Sequence, residues 1–405
     1  MIEAEREEIV EEVDLTAVSE QQESAAIQEA ALRIERSLDI ERGPMVRVGV
    51  MKVGRRRRKL ILMAIHHLIV DGVSWRVILE DMGRALEQVK RGEEVRFEAK
   101  TTSFKQWAML LNDYAQTDAL NQELPYWINL LDSQPLPLPV DFPDGINSAA
   151  SAEIISRELT KQQTRALLQD LPEAFRTQIN EALLSALARA YSKWSGASQL
   201  LVDVEGQGRE EIIEGIDLSR TVGWFTTIYP VKVESREEEA ATETLKRVKE
   251  EVRRIPNRGI GYGVLKYLRA EERTRGEMRR LAQAEISFNY LGQTDQVMEQ
   301  GGWLRLAHGS AGESGRPAGK QAYLIEVNAI VEGGKLRVDW SYSRNIYQRS
   351  TIDAFAEAFK DALVELIAHC QSDEARGHLP SDFPYSGLGQ KELDDFISEI
   401  SEFAD

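Results

Sequence analysis

The stretch that most restricts what this chain can fold into is 60–82, LILMAIHHLIVDGVSWRVILEDM. Six apolar residues, Leu60–Ile65, read as a buried strand. Two histidines close it, a short loop carries Asp71 and Gly72, and an apolar run at helical spacing follows. Ser74 is the expected helix cap. Trp75, Ile78, Leu79 and Met82 are expected along the buried stripe. A loop fixed by a strand behind it and a helix ahead is a good seat for a catalytic imidazole. Taken alone, an HH pair is more often two half-buried packing histidines.

Composition bounds the class. With 405 residues, 42% hydrophobic and 29% charged, the chain has enough apolar material for two packed lobes and too much to stay disordered. A net charge of −17 argues against nucleic acid or an anionic membrane as the main partner. The basic run Arg55–Lys59 lies between two strand-like segments and reads as a solvated hairpin tip, since no aromatic interleaves it. A single cysteine, Cys370, excludes an internal disulfide framework. It falls in an amphipathic helix, where a packing thiol is expected over a nucleophile. No apolar run approaches the ~20 residues of a membrane helix, and the acidic start MIEAEREEIVEE has no signal-peptide core. A cytoplasmic protein is expected.

Along the chain, residues 1–19 are acidic with little pattern. Gln21–Leu38 reads as a helix with Ile27, Ala31, Ile34 and Leu38 on one stripe, and Gly43-Pro44 breaks it. Val46, Val48 and Val50 then alternate with Arg47, Gly49 and Met51 as in a strand. Helices are expected at Trp75–Lys90, Phe104–Tyr114 and around Tyr126–Leu131. The Pro-rich stretch QPLPLPVDFPD, from Gln134, reads as an extended connector. This gives an N-terminal lobe at 1–133, a connector at 134–148, a C-terminal lobe at 149–380 and a tail at 381–405. The second lobe shows strands at Glu153–Leu159, Leu200–Val204 and Ala284–Tyr290, with helices at Thr177–Trp194 and Glu237–Arg254. A hairpin joins Ala322–Val331 to Lys335–Tyr342 at Gly333-Gly334, and a helix runs from Thr351 to Ala368. Strands alternating with long helices in both parts imply two α/β sandwich lobes.

Chemistry-bearing residues are few. His67 carries an imidazole, the side chain type best suited to taking and giving a proton at physiological pH. Asp71 is expected to hold the loop, by pairing with an arginine, more than to orient a ring, and Gly72 to permit a tight turn or a positive φ. Glu205 ends an apolar strand, with Gly206 and Gly208 leaving room beside it. Burial there would raise its pKa and let it act as an acid. The plainer alternative is a surface carboxylate paired with Arg209, and Arg209 and Glu210 are equally placed to make bracing salt links. In SFNYLGQ, Asn289 and Tyr290 are placed to line a cleft. IPNRGIGYG lacks the GK[ST] ending of a phosphate loop, no His/Cys spacing resembles a zinc site, and no GxSxG elbow occurs.

HHLIVDGVSWR, EGQGRE, RTVGWFTTIYP, GIGYG, FNYLGQ and PSDFP occur in the order seen in epimerization domains of nonribosomal peptide synthetases. The chain resembles that branch of the condensation-domain superfamily over nearly its whole length. The resemblance implies a pseudo-dimer of two chloramphenicol-acetyltransferase-like α/β sandwich lobes with a central tunnel. It implies inversion at the Cα of an aminoacyl or peptidyl thioester, carried on the phosphopantetheine arm of an upstream peptidyl carrier protein among neighbouring synthetase domains. No cofactor of its own, no metal, no nucleic acid and no membrane are implied. His67 and Glu205 would be the two proton-transferring groups, supported by His66, Asp71, Gly72 and Arg209. Asn289 or Tyr290 would hold the enolate oxygen. Gln207 stands where the family pattern has histidine. The chain starts later than family members, so a first lobe lacking part of its sheet is expected. The alternatives are a condensation domain, using His67 without Glu205, and a non-catalytic carrier-docking module.

Overall fold

The computed structural model describes residues 9–54, 58–132, 136–236, 238–293 and 319–370. The basic tip at 55–57, the PSDFP phrase and the tail expected at 381–405 lie outside them. The described residues form two compact units, one drawn from 9–107 and 215–225, the other from 108–214, 226–293 and 319–370. No helix among them is long and apolar enough to cross a membrane.

In the first unit, β1 (Val10–Leu15) pairs parallel with β2 (Val46–Val53), which pairs antiparallel with β3 (Arg58–Ile65). The acidic start, read as patternless, therefore contains a strand. Its alternating carboxylates hide an alternation that only pairing with a distant strand reveals. Helix α1 (Glu20–Arg36) buries Ala30, Ala31 and Ile34 against Met51, Val53 and Ala64, with Ile27 and Leu38 partly covered. The parity within β2 also differs from the expected valine set. Gly49, Met51 and Val53 are the fully buried positions, and Val46, Val48 and Val50 are half-buried. The helix decides this, because the Ile34 Cδ1 methyl occupies the space a Cβ on Gly49 would need. Helix α2 (Gly72–Lys90) leaves the histidine loop, and α3 (Phe104–Tyr114) follows.

The second unit begins within α3. Residues 108–132, which a boundary at the Pro-rich stretch would give to the first lobe, cluster here. In α4 (Leu124–Asp132) the fully buried Trp127 packs on Tyr262 at 5.1 Å. The sheet comprises β4 (Ala152–Glu158), β5 (Gln199–Gly206), β6 (Thr227–Glu234), β7 (Ile286–Gln293), β8 (Ile325–Glu332) and β9 (Lys335–Ser343), in the order β4-β9-β8-β7-β5-β6. One face is apolar: Val202, Val204, Ile286, Phe288, Ile325, Val327, Val338 and Trp340 are all buried. It is covered by helices including α5 (Ile179–Ser195), α6 (Ala241–Arg253) and α7 (Arg349–Cys370). Trp340 meets Phe355 of α7 at 4.9 Å, and Ile352, Phe355, Phe359, Leu363, Leu366 and Ile367 form the buried stripe of that helix. The β8–β9 turn falls at Gly333-Gly334, both with positive φ as a type I′ turn demands. By strand alternation the opposite face carries Asp203 and Glu205 on β5, Ser287 and Asn289 on β7, and Glu326 and Asn328 on β8.

Candidate functional site

In the first unit the histidine loop is a one-turn 3₁₀ helix, His67–Ile69. His66 is half-buried, and its Nδ1 accepts from the Leu68 amide at 3.2 Å. His67 is exposed, its ring 5.1 Å from that of Trp224 and tilted by 54°. The cap of α2 is Asp71, not Ser74. Asp71 Oδ1 accepts from the Ser74 amide at 2.7 Å, three residues on, the usual reach of a capping carboxylate. Ser74 sits inside the first turn with no exposure, and Val77 joins it as fully buried. The expected stripe of Trp75, Ile78, Leu79 and Met82 is only half-buried. Gly72 is exposed, lies outside the positive-φ set and has open space where a Cβ would stand. The extended backbone of Asp71, φ −126 and ψ −179, makes the turn instead.

What holds this loop comes from far along the chain. Asp71 Oδ2 accepts from the Phe225 amide at 3.2 Å. Ser74 Oγ donates to the Gly223 carbonyl at 2.9 Å and accepts from the Gly223 amide at 3.0 Å. Arg220 pairs with Glu80 at 2.9 Å, with Asp81, and with Glu98 at 3.4 Å. These charges keep the guanidinium above its ordinary range, the Glu80 bond contributing most. Phe225 meets Phe104 edge-on at 5.1 Å. The RTVGWF phrase and the HHLIVDG phrase are therefore one assembly. In this loop Asp71 accepts from two backbone amides, those of Ser74 and Phe225, where the sequence reading expects an arginine. Trp224, 41% exposed beside His67, was missed as a site residue. Its place in a Gly-aromatic phrase was the only signal available.

In the second unit β5 runs through Glu205, which is half-buried, and its Oε2 accepts from Asn289 Nδ2 at 2.6 Å. Sequence placed these residues on separate strand ends; the parallel β5–β7 register brings them side by side. Alternation puts Tyr290 on the other face from Asn289, where burial pushes its phenol up to about 12. The glycines act differently from each other. A Cβ on Gly206 would stand 2.7 Å from Thr227 Oγ1, whereas Gly208 turns the chain with φ 68. Gln207 is exposed and Arg209 half-buried. Glu210 pairs with Arg258 at 3.5 Å, yet burial still raises its carboxyl above the usual range.

Two further features emerge on this unit. Tyr323 donates its hydroxyl to Asp203 Oδ2 at 2.9 Å. Burial raises the Asp203 carboxyl, while Tyr323 and Lys266 oppose the rise. Lys266 donates to the Tyr262 hydroxyl at 3.3 Å and stands over the Tyr262 and Tyr267 rings at 5.1 and 5.7 Å. Burial pulls the Lys266 ammonium down, but Tyr262, Tyr267 and Asp203 outweigh it and its pKa rises. The IPNRGIGYG loop places Asn257 and Arg258 in the left-handed region (φ 44 and 52), a costly conformation for non-glycine residues. Buried Glu123 fixes it, accepting from Asn257 Nδ2 at 2.7 Å while burial raises its carboxyl. Among the described residues no group of three or more His, Cys, Asp or Glu is arranged to hold a metal ion.

The family model described as the condensation domain matches residues 1–388. The chain belongs to the condensation-domain family. A linear gramicidin synthase of Brevibacillus parabrevis is 44% identical over 389 residues, 95% of this chain but 5% of that relative. The chain thus spans only a small part of that relative's length. The solved epimerization domain from the third module of tyrocidine synthetase B has a TM-score of 0.81 at 35% identity, over 89% of this chain and 80% of that one. The first condensation domain of the calcium-dependent antibiotic synthetase, solved with a substrate analogue, has a TM-score of 0.60 at 17% identity. It covers 90% of this chain and 76% of that one, and shows the condensation-domain fold alone.

Proposed function

We propose that this chain epimerizes the Cα of an aminoacyl or peptidyl thioester carried on the phosphopantetheine arm of a carrier protein, within a nonribosomal peptide synthetase. The observation that carries the reading is the likeness to a solved epimerization domain, at about twice the identity found with a condensation domain of the same fold. A second observation supports it: Glu205, which a condensation reaction does not need, is held by Asn289 on a polar sheet face.

The thioester carbonyl acidifies the Cα–H, so an acid and a base suffice. One group takes the proton, the electron pair moves onto the carbonyl oxygen as an enolate, and the other group returns a proton to the opposite face. Bonds and charges balance over the cycle. His67 and Glu205 are the two proton-transferring groups in this reading. Asn289 fixes the Glu205 carboxyl, and Trp224 fixes the His67 ring. Asp71 and Ser74 hold the loop that presents His67. The partners are an upstream carrier protein and neighbouring synthetase domains.

The test loads an L-aminoacyl thioester on a carrier protein in deuterated water and follows exchange at Cα. Exchange lost in both His67→Ala and Glu205→Gln supports the two-group scheme. Amide product without exchange would point to condensation, which the family description also accommodates. Carrier binding with neither outcome would point to a docking module.

A further inference from the structure

We propose that Asp203 and Tyr323 are positioning residues for Glu205, placing a second carboxylate and a phenol on its sheet face and setting the pH range over which it gives and takes its proton. This rests on the proton-transfer role proposed for Glu205. Asp203 and Glu205 are two residues apart on β5, so their side chains leave the same face roughly 7 Å apart. Tyr323, just before β8, donates to Asp203 Oδ2 at 2.9 Å and lies within electrostatic reach of Glu205 as well. Both carboxylates raise its phenol, after burial. On its other side Glu205 accepts from Asn289, so the carboxyl is held between an amide and a phenol-bearing neighbour.

Among the described residues other charged and titratable groups face this site, and Lys232 of β6 shares its face by strand alternation. Lys266 and Tyr267 reach it from the turn Val264–Leu268, with Tyr262 bonded to Lys266. Ile228 of β6 stands opposite Glu205, and Glu326 shares the face two strands away. A carboxyl beside a second, partly buried carboxylate releases its proton less readily. That bias suits a residue that must return a proton near neutral pH. Tyr323 and Lys266 act to keep Asp203 in the charged form that exerts it.

The experiment titrates the Glu205 carboxyl by ¹³C NMR in the full chain with labelled glutamate, the Glu205→Gln spectrum assigning the resonance. Wild type is compared with Asp203→Asn and Tyr323→Phe, and Cα exchange is followed against pH in each. Asp203→Asn is expected to move the Glu205 titration to lower pH by about one unit. Tyr323→Phe moves it the same way by less, since Asp203 without its hydroxyl donor is more readily neutral. The limb of the exchange profile that Glu205→Gln abolishes moves in step. A Glu205 titration unmoved in both variants overturns the proposal, and Tyr323→Phe alone carries the test if Asp203→Asn fails to fold. A titration that moves in a protein with no Cα exchange upholds the pair and sinks the epimerization reading. Exchange indifferent to Glu205→Gln sinks both.

Discussion

Replacing Asp71 by asparagine exchanges one carboxylate oxygen for an NH₂ and changes little volume, yet it should release the segment that carries Trp224. Both carboxylate oxygens of Asp71 accept from backbone amides, Oδ1 from Ser74 and Oδ2 from Phe225. An asparagine offers one acceptor and one donor, so in either orientation an NH₂ faces an N–H. Asp71 is 5% exposed, and water has little access to repair the mismatch. Losing a hydrogen bond to a charged acceptor costs about 1.5–3 kcal/mol, and stranding a buried amide about 1–3 more. A loss of roughly 3–5 kcal/mol is expected, a large share of the ~5–15 kcal/mol typical of a whole domain. Hydrogen exchange on the intact chain reads it residue by residue. The Phe225 and Gly223 amides should lose protection by several orders of magnitude, while the second unit's sheet amides keep theirs. Urea unfolding should show the first unit melting earlier. If Asp71→Asn leaves the Phe225 amide protected and stability within about 0.5 kcal/mol of wild type, the account of this loop is wrong.

Trp224→Ala should strip the indole from beside the already exposed His67 ring without unfolding the loop, because backbone groups do the pinning. Carbethoxylation of His67, read by mass spectrometry, should quicken several-fold and Trp224→Phe should reverse most of it; an unchanged rate would refute the contact. Asn289→Ala removes the 2.6 Å bond to Glu205. A charge-assisted bond worth about 1.5–3 kcal/mol predicts Cα exchange slowed roughly 10- to 100-fold. Equal rates in the two proteins would remove Asn289 from the site. Cys370 donates Sγ to the Ile367 carbonyl, and burial followed by the Asp170 charge pushes its thiol up. The reactive thiolate forms only as pH rises through the higher value, so alkylation should be slow near neutrality and accelerate at a higher pH than for an ordinary cysteine. Fast labelling near neutral pH would contradict that.

The elements legible from the sequence are those whose determinants are local. The strand ending in HH, the Gly333-Gly334 hairpin and the inward stripe of α7 follow from side-chain period and turn chemistry within a few residues. His67, Asp71, Glu205 and Asn289 stood out because unusual residue types sat at the ends of apolar runs. Residues set by pairing across long sequence distances were not legible. β1 looks like an acidic tail until it pairs with β2, and β6 is hidden in a phrase whose first half, 220–225, packs with the first unit. Which parity of β2 turns inward is decided by Ile34 against Gly49. Trp224 beside His67, Asn289 on Glu205 and Tyr323 on Asp203 are likewise products of tertiary structure. Periodicity tells which face of a segment is apolar, but not which distant segment will cover it. That choice is made by close packing and by the need of every buried amide and carboxylate to find a partner.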